Sequence, residues 1–160
     1  TVNVDPDAET LSEIAILAAD FAKTLDIDPR VAMLSFSNFG SVRHPLSNKV
    51  RDAVELVQTK RPDLPIDGEM QADTAVVLDI IENRYPFSRV RDANILVFPD
   101  LGSANIAYKL LDRLTEAEAI GPVLLGIGGP VQVIQAGDDV EDIVALSAFA
   151  AIDAQSRQDA

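Results

Sequence analysis

The stretch Val31-Ala-Met-Leu-Ser-Phe36 is apolar except at Ser35 and has the length expected for a strand buried on both faces of a parallel sheet. Asp28-Pro29 precedes it and ends a helix that we predict near residues 7 to 25. In that helix apolar residues recur at helical spacing after the capping pair Asp5-Pro6. A helix that leads directly into a buried strand is the first indication of an α/β fold.

The alternation of helix and strand continues on the C-terminal side of this stretch. Leu46 to Lys60 carries one apolar stripe beside charged positions, which predicts a helix packed on the sheet. The further predicted elements are a helix over 71–81, a strand over 95–98, a helix over 103–114, strands over 122–127 and 131–134, and a helix from Asp139 to about Ala154. Together they predict an α/β three-layer sandwich with a mainly parallel sheet.

Composition narrows the class of protein. The 160 residues are 48% apolar and show no linker-like stretch, so one compact unit is expected. The net charge of -13 opposes binding to nucleic acid, and the longest apolar run, 145–152, is far shorter than the ~20 residues that a bilayer requires. Cysteine is absent and the N-terminus lacks the pattern of a secretory signal, which favours a cytoplasmic location.

The C-terminal helix is the least amphipathic of the predicted helices. Apolar residues occupy almost every position from Ile143 to Ile152. A helix that is apolar all round needs burial on every side. We therefore expect another subunit or another domain to cover it.

Two residue groups invite a catalytic or metal-binding interpretation. Ser41 and His44 are three residues apart, but no Gly-x-Ser-x-Gly elbow surrounds the serine, which favours a ligand-binding loop at the end of a strand. Asp67, Glu69 and Asp73 resemble a set of hard-cation ligands, yet acidic residues ahead of a helix more often cap it. No metal site is expected in this chain.

Four segments in order resemble the phosphate acetyl/butyryl transferase family across nearly the whole chain. They are Gly40-Ser-Val-Arg-His-Pro45, Ile66-Asp-Gly-Glu-Met-Gln-Ala-Asp73, Phe98-Pro-Asp-Leu101 with Asn105-Ile-Ala-Tyr-Lys109, and Ala119-Ile-Gly-Pro122. The resemblance implies a two-domain α/β protein with the ligand cleft between domains and a dimer built largely through the second domain. Residues 1–160 are then that second domain with the C-terminal helix, and the N-terminal portion is absent from this chain.

The resemblance also assigns site residues. It implies an acyl-CoA ligand, acetyl-CoA in particular, held near Ser41, Asn105, Lys109, Gln135 and Gly137, and it matches Asp142 to the aspartate thought to activate the CoA thiol. Active members carry Ser-Arg where this chain has Gln135-Ala136. Loss of that arginine removes a cation that offsets developing charge, so transferase activity is expected to be low and Asp142 vestigial.

A further segment, Tyr85-Pro-Phe-Ser-Arg-Val90, resembles the transferase-like domain of bacterial hybrid NADP-dependent malic enzymes. That resemblance implies a regulatory domain that binds acetyl-CoA, in a parent enzyme that converts malate to pyruvate and CO2 with NADP and a divalent metal bound elsewhere. The hypothesis drawn from sequence is therefore a regulatory and oligomerisation module. The alternatives are an active phosphate acetyltransferase, which moves acetyl between CoA and phosphate, and a domain used only for dimerisation.

Overall fold

The computed structural model describes residues 2–137 and 139–157. The chain forms, in order, α1 (Ala8–Thr24), β1 (Val31–Leu34), α2 (Pro45–Lys60), β2 (Ile66–Met70), α3 (Ala72–Val76), α4 (Leu78–Arg84), β3 (Ile95–Val97), α5 (Leu101–Leu114) and α6 (Val140–Ser156). The helices predicted near 7–25 and over 46–60 and the strands predicted over 31–36 and 95–98 form, with bounds that differ by up to two residues. The helices predicted at both ends of the chain are confirmed.

Within the described residues the strands form one parallel sheet in the order β2-β1-β3. Val31 at the start of β1 is paired with Ile66 on one side and with Ile95 on the other. All four residues of β1 are buried. A central strand covered on both edges and both faces has no polar position, which explains the unbroken apolar run in the sequence.

Helices cover both faces of the sheet. On one face, α1 and α2 pack on alternate residues of β1, and the buried residues there are Leu11, Ala15, Ala19, Val31, Met33, Val50, Ala53, Val54, Val57, Leu64, Ile66 and Val97. On the opposite face, Ala32 and Leu34 of β1 contact Met70 of β2 and Ala75 of α3. This arrangement is the predicted three-layer α/β sandwich.

The N-cap of α1 is Asp7 and not Asp5, which corrects the sequence prediction. The Asp7 carboxylate accepts a hydrogen bond from the Thr10 N–H at 2.9 Å, and this bond lowers the pKa of Asp7. Asp5 lies outside the helix and pairs with Lys49. An aspartate next to a proline is a weaker signal than an aspartate whose side chain reaches the third residue of the helix.

The segment after residue 65 also differs from prediction. Ile66–Met70 is a strand, and the helix predicted over 71–81 is divided at Val77, whose backbone is extended. Strand β2 was missed because Asp67, Gly68 and Glu69 interrupt any apolar pattern. The Asp67 and Glu69 side chains accept hydrogen bonds from two loops, so these polar residues are accommodated by tertiary contacts that no alternation in the sequence reveals.

The strands predicted at 122–127 and 131–134 do not form. The Leu124 N–H donates to the side-chain oxygen of Gln132 at 3.0 Å, where a strand would use a main-chain partner. Residues 123–125 instead line a cleft of about 340 Å³ beside Ile14 and Leu17. Apolar content predicts burial, but a strand also requires a paired edge.

Helix α6 is largely uncovered in the described chain. Leu146 is buried, and Phe149 meets Phe21 of α1 edge to face with ring centroids 5.6 Å apart. Val140 and Val144 are 74% and 62% exposed. The expectation that a further subunit or domain covers this helix stays a prediction. None of the helices in the described residues has both the length and the apolarity that crossing a membrane demands.

Candidate functional site

A cleft of about 760 Å³ opens at the carboxyl ends of β1 and β3. It is lined by residues 34–36 after β1, residues 98–100 after β3 and residues 102–103 in the first turn of α5. Strand β1 is the central strand, with β2 hydrogen-bonded along one edge and β3 along the other. The cleft is therefore at the topological switch point, where open α/β sheets bind their ligands.

Among the described residues, one cationic side chain, Lys49, and two carboxylates, Asp5 and Asp100, line this cleft. Lys49 on α2 is 17% exposed, and its Nζ donates to Asp5 Oδ1 at 2.8 Å and to the Pro99 carbonyl at 3.1 Å. Asp5 is 78% exposed, so water can solvate it if the lysine turns to a ligand. Because the chain carries a net charge of -13, an anionic ligand depends on local cations such as this one.

The start of α5 supplies the second polar feature of the cleft. Asp100 caps the helix by accepting the Ser103 N–H at 2.7 Å, and the Ser103 hydroxyl donates to the Asp100 carbonyl at 3.0 Å. Gly102 and Ser103 line the cleft. The positive end of the helix dipole lies at this wall, and the Asp100 carboxylate caps it.

The loop between β1 and α2 forms another wall, and β2 holds it in place. Ser35 and Phe36 line the cleft. The Phe36 carbonyl accepts from Gln71 Nε2 at 2.8 Å, and the Asn38 side-chain oxygen accepts from the Gln71 N–H at 2.8 Å. Gly40 has a φ of 83°, a conformation that favours glycine. This loop is ordered by side chains that follow β2.

Ser41 and His44 have separate structural roles. His44 caps α2, with Nδ1 accepting from the Leu46 N–H at 3.2 Å. Ser41 Oγ accepts from the Asn38 N–H at 2.9 Å and lies 3.2 Å from the Ser37 hydroxyl. Each side chain is therefore bonded to its own loop or helix start. The loop after β1 is present as the sequence favoured, whereas the helix cap at His44 was not predicted.

The acidic residues considered as metal ligands are also engaged separately. Asp67 accepts from the Ser88 hydroxyl at 3.0 Å and from the Arg89 N–H at 2.7 Å, and Asp73 accepts from the Thr74 N–H at 2.8 Å. The Glu69 side chain is directed to the loop after β1. Over 2–137 and 139–157, no three His, Asp or Glu side chains are grouped as metal ligands.

The residues assigned by resemblance lie in three places. Ser41 is in the loop after β1, and Asn105 and Lys109 are exposed on α5, where Lys109 Nζ lies 4.7 Å from the Tyr108 ring centroid. Gln135 and Gly137 are exposed ahead of α6. None of these belongs to the described cleft lining, so their ligand roles stay predictions.

Asp142, the remaining assigned residue, belongs to the first turn of α6. It forms a capping box with Asp139: the Asp142 N–H donates to Asp139 Oδ1 at 3.0 Å, and the Asp139 N–H donates to Asp142 Oδ2. The helix predicted from Asp139 therefore begins there. Asp138 lies outside the described residues. The match of Asp142 to the aspartate thought to activate the CoA thiol stays a prediction.

Sequence reasoning missed Lys49, Phe36 and Ser103 as cleft residues. Lys49 looked like one of several solvated cations on a helix, and only the strand order brings it beside Pro99. The one available signal was Asp100, because an N-cap directly after a strand predicts a helix start at the carboxyl edge of the sheet.

These features define a class: a parallel α/β domain with a cleft at its switch point, lined by apolar side chains, one lysine and two aspartates. The sequence profile described as phosphate acetyl/butaryl transferase matches residues 1–151. The chain belongs to that family.

Individual relatives agree with this assignment. The phosphate acetyltransferase of Thermoanaerobacterium thermosaccharolyticum is 49% identical over 156 residues, covering 96% of this chain and 48% of that protein. The crystal structure of a phosphotransacetylase from Streptococcus pyogenes matches with a TM-score of 0.93 and 45% identity, covering 98% of this chain and 48% of that one. The chain thus spans about half the length of these relatives.

A malic enzyme is similar to this chain at a comparable level of sequence identity. The NADP-dependent malic enzyme of Escherichia coli is 46% identical over 159 residues, which cover 98% of this chain and 21% of that enzyme. Similarity to both kinds of protein means that family membership alone does not select the activity of the whole protein.

Proposed function

We propose that this chain is the acyl-CoA-binding half of a phosphate acetyltransferase, which transfers an acetyl group between CoA and inorganic phosphate. The observation that carries the proposal is the match of nearly the whole chain, at 49% identity, to a phosphate acetyltransferase. The switch-point cleft supports it, because its volume of about 760 Å³ lies in the range of small-molecule sites.

The cleft has chemistry suited to these substrates. CoA, acetyl phosphate and phosphate are all anionic, and the cleft offers Lys49 and the amino-terminal end of α5. In the direction of acetyl-CoA formation, the CoA thiol gives up its proton and its sulfur bonds to the acetyl carbon of acetyl phosphate. The bond from that carbon to the phosphate oxygen breaks, and phosphate leaves with the electron pair and takes up a proton. Positive groups at the cleft lower the energy of negative charge that develops on the carbonyl oxygen.

A second function is favoured by one specific observation. Where the resemblance implies Ser-Arg in active members, this chain has Gln135-Ala136. A cleft that binds acetyl-CoA without this arginine suits a regulatory role, and the similarity to an NADP-dependent malic enzyme supports such a parent protein. NADP and the divalent metal of that enzyme would then bind outside this chain.

Acetyl phosphate formation from acetyl-CoA and phosphate, measured with the full-length protein, decides between the two. A rate of acetyl phosphate formation above that in buffer alone supports the transferase. No turnover, together with an effect of acetyl-CoA on malate oxidation, supports the regulatory module. A matched variant, Gln135→Ser with Ala136→Arg, is expected to raise transfer by about two orders of magnitude if the arginine is the missing group. Absence of both activities and of acetyl-CoA binding would refute both proposals.

The exposed apolar residues of α6 support an oligomeric or multidomain parent. A dimer through this domain is the proposal that follows from the family resemblance. Sedimentation of the full-length protein tests it, with a monomer as the contradicting result. We place the protein in the cytoplasm as part of the same proposal, because the acyl-CoA and phosphate substrates are found there.

A further inference from the structure

Glu69 is a fully buried carboxylate on β2 that holds a loop belonging to a different strand. Its Oε1 accepts from the Ser37 hydroxyl at 2.9 Å and from the Gly40 N–H at 2.7 Å. Its main-chain carbonyl accepts from the Phe39 N–H at 2.7 Å. One residue thus makes three bonds to the turn that follows β1.

The bonds extend from Glu69 to the rest of the loop through Ser37. The Ser37 oxygen accepts from the Val42 N–H at 3.0 Å and lies 3.2 Å from the Ser41 hydroxyl. Ser37 is fully buried. The conformation of residues 37–42 therefore depends on the Glu69 carboxylate, and this segment directly follows Ser35 and Phe36 at the cleft wall.

The second carboxylate oxygen gives an independent reason to look for a role in function. Glu69 Oε2 is buried and has no hydrogen-bond partner among the described residues. Buried polar atoms are nearly always paired, so an exception in a well-packed strand requires an explanation. Departures from local rules of this kind concentrate at functional sites.

We propose that Glu69 is a positioning residue for the acyl-CoA site: it fixes residues 37–42, and through them the Ser35 and Phe36 wall of the cleft. The inference rests on the proposed binding of acyl-CoA. Glu69 does not line the cleft, so it acts through Ser37 and Gly40 and not by contact with the ligand. A displacement of about 1 Å in such a wall is enough to reduce reaction rates by about two orders of magnitude.

The test compares Glu69→Ala, Glu69→Gln and Ser37→Ala with a control, Asp67→Asn. Asp67 lies two residues earlier on the same strand, but it bonds to Ser88 and Arg89 instead of the loop. The measurements on the full-length protein are the Kd for acetyl-CoA, kcat and KM where turnover occurs, and amide exchange of residues 37–42. Exchange reports on the loop without requiring activity.

In the Ala variant, we expect the Kd and KM for acetyl-CoA to rise at least tenfold and exchange at 37–42 to accelerate. The Gln variant retains an oxygen that can accept both bonds, so most of the affinity should return. Asp67→Asn should match the wild type in both measurements. If Glu69→Ala fails to fold, Ser37→Ala carries the test, because it removes the hydroxyl that bonds to Glu69 and to the Val42 N–H but little volume.

Two different failures are distinguishable. Wild-type protein that neither binds nor turns over acetyl-CoA overturns the proposed function and removes the inference with it. Wild-type binding that is unchanged in Glu69→Ala and Ser37→Ala overturns the inference alone, and so does an equal loss in Asp67→Asn.

Discussion

Replacing Gly68 by alanine tests how β2 is seated against β1. Gly68 is paired with Met33 of β1 and has a φ of 142°. A Cβ at this position would lie 2.6 Å from the Met33 carbonyl oxygen and 3.0 Å from the Met33 Cβ. The first contact is with backbone of the central strand, which cannot move aside as a flexible side chain can.

The cost of this substitution has two parts. Holding an alanine in a conformation reserved for glycine costs about 1–3 kcal/mol. Forcing an extra methyl group into a packed interior costs typically about 1–3 kcal/mol more. The free energy of unfolding should therefore fall by about 2–6 kcal/mol. For a domain of this size that corresponds to a decrease of about 4–24 °C in Tm.

Thermal unfolding followed by circular dichroism measures this decrease. Gly128→Ala is the matched control, because a Cβ there meets nothing within 4 Å and its φ lies outside the left-handed region. The control should unfold within about 2 °C of the wild type. A Gly68→Ala protein that also unfolds within about 2 °C of the wild type would refute the packing described for β1 and β2.

Two further predictions concern charged residues. Lys49→Met should raise the Kd for acetyl-CoA about 10- to 100-fold, since a hydrogen bond to a charged group contributes about 1.5–3 kcal/mol. The control Lys60→Met removes an ion pair with Glu9 away from the cleft and should leave the Kd unchanged. Calorimetry that finds equal affinities in the two variants contradicts the role of Lys49. Arg61 donates to Asp63 and holds the pKa of that carboxyl below its ordinary 3.8. The contribution of this pair to the free energy of unfolding is present above the ordinary Asp63 pKa and is lost as the pH falls through the lowered pKa. Arg61→Met should raise the Asp63 pKa in an NMR titration, and an unchanged pKa contradicts the pairing.

The elements with a clear pattern were predictable. Helices α1 and α2 show 3.6-residue periodicity, and β1 is an uninterrupted apolar run because it is central and buried on both faces. Strand β2 was not predictable, since Asp67 and Glu69 are stabilised by hydrogen bonds from loops distant in sequence. Residues 122–127 have the composition of a strand, but no local pattern reveals whether a sheet edge will accept them.

The location of the candidate site was predictable from the sequence, but most of the residues that form it were not. A loop after β1 at the carboxyl edge of a parallel sheet follows from the order of elements, and Ser41 lies there. The contribution of Lys49 depends on β1 and β3 being neighbours, although β2 lies between them in sequence. The role of Glu69 could not be inferred either, because it arises from a hydrogen bond between residues 32 positions apart.

A crystal structure of the full-length protein with acetyl-CoA tests the central claim most directly. We predict that the ligand lies between residues 34–36 and the first turn of α5, with an anionic group within hydrogen-bond distance of Lys49 Nζ. Density for acetyl-CoA elsewhere, with this cleft left to solvent at a saturating ligand concentration, would contradict the account.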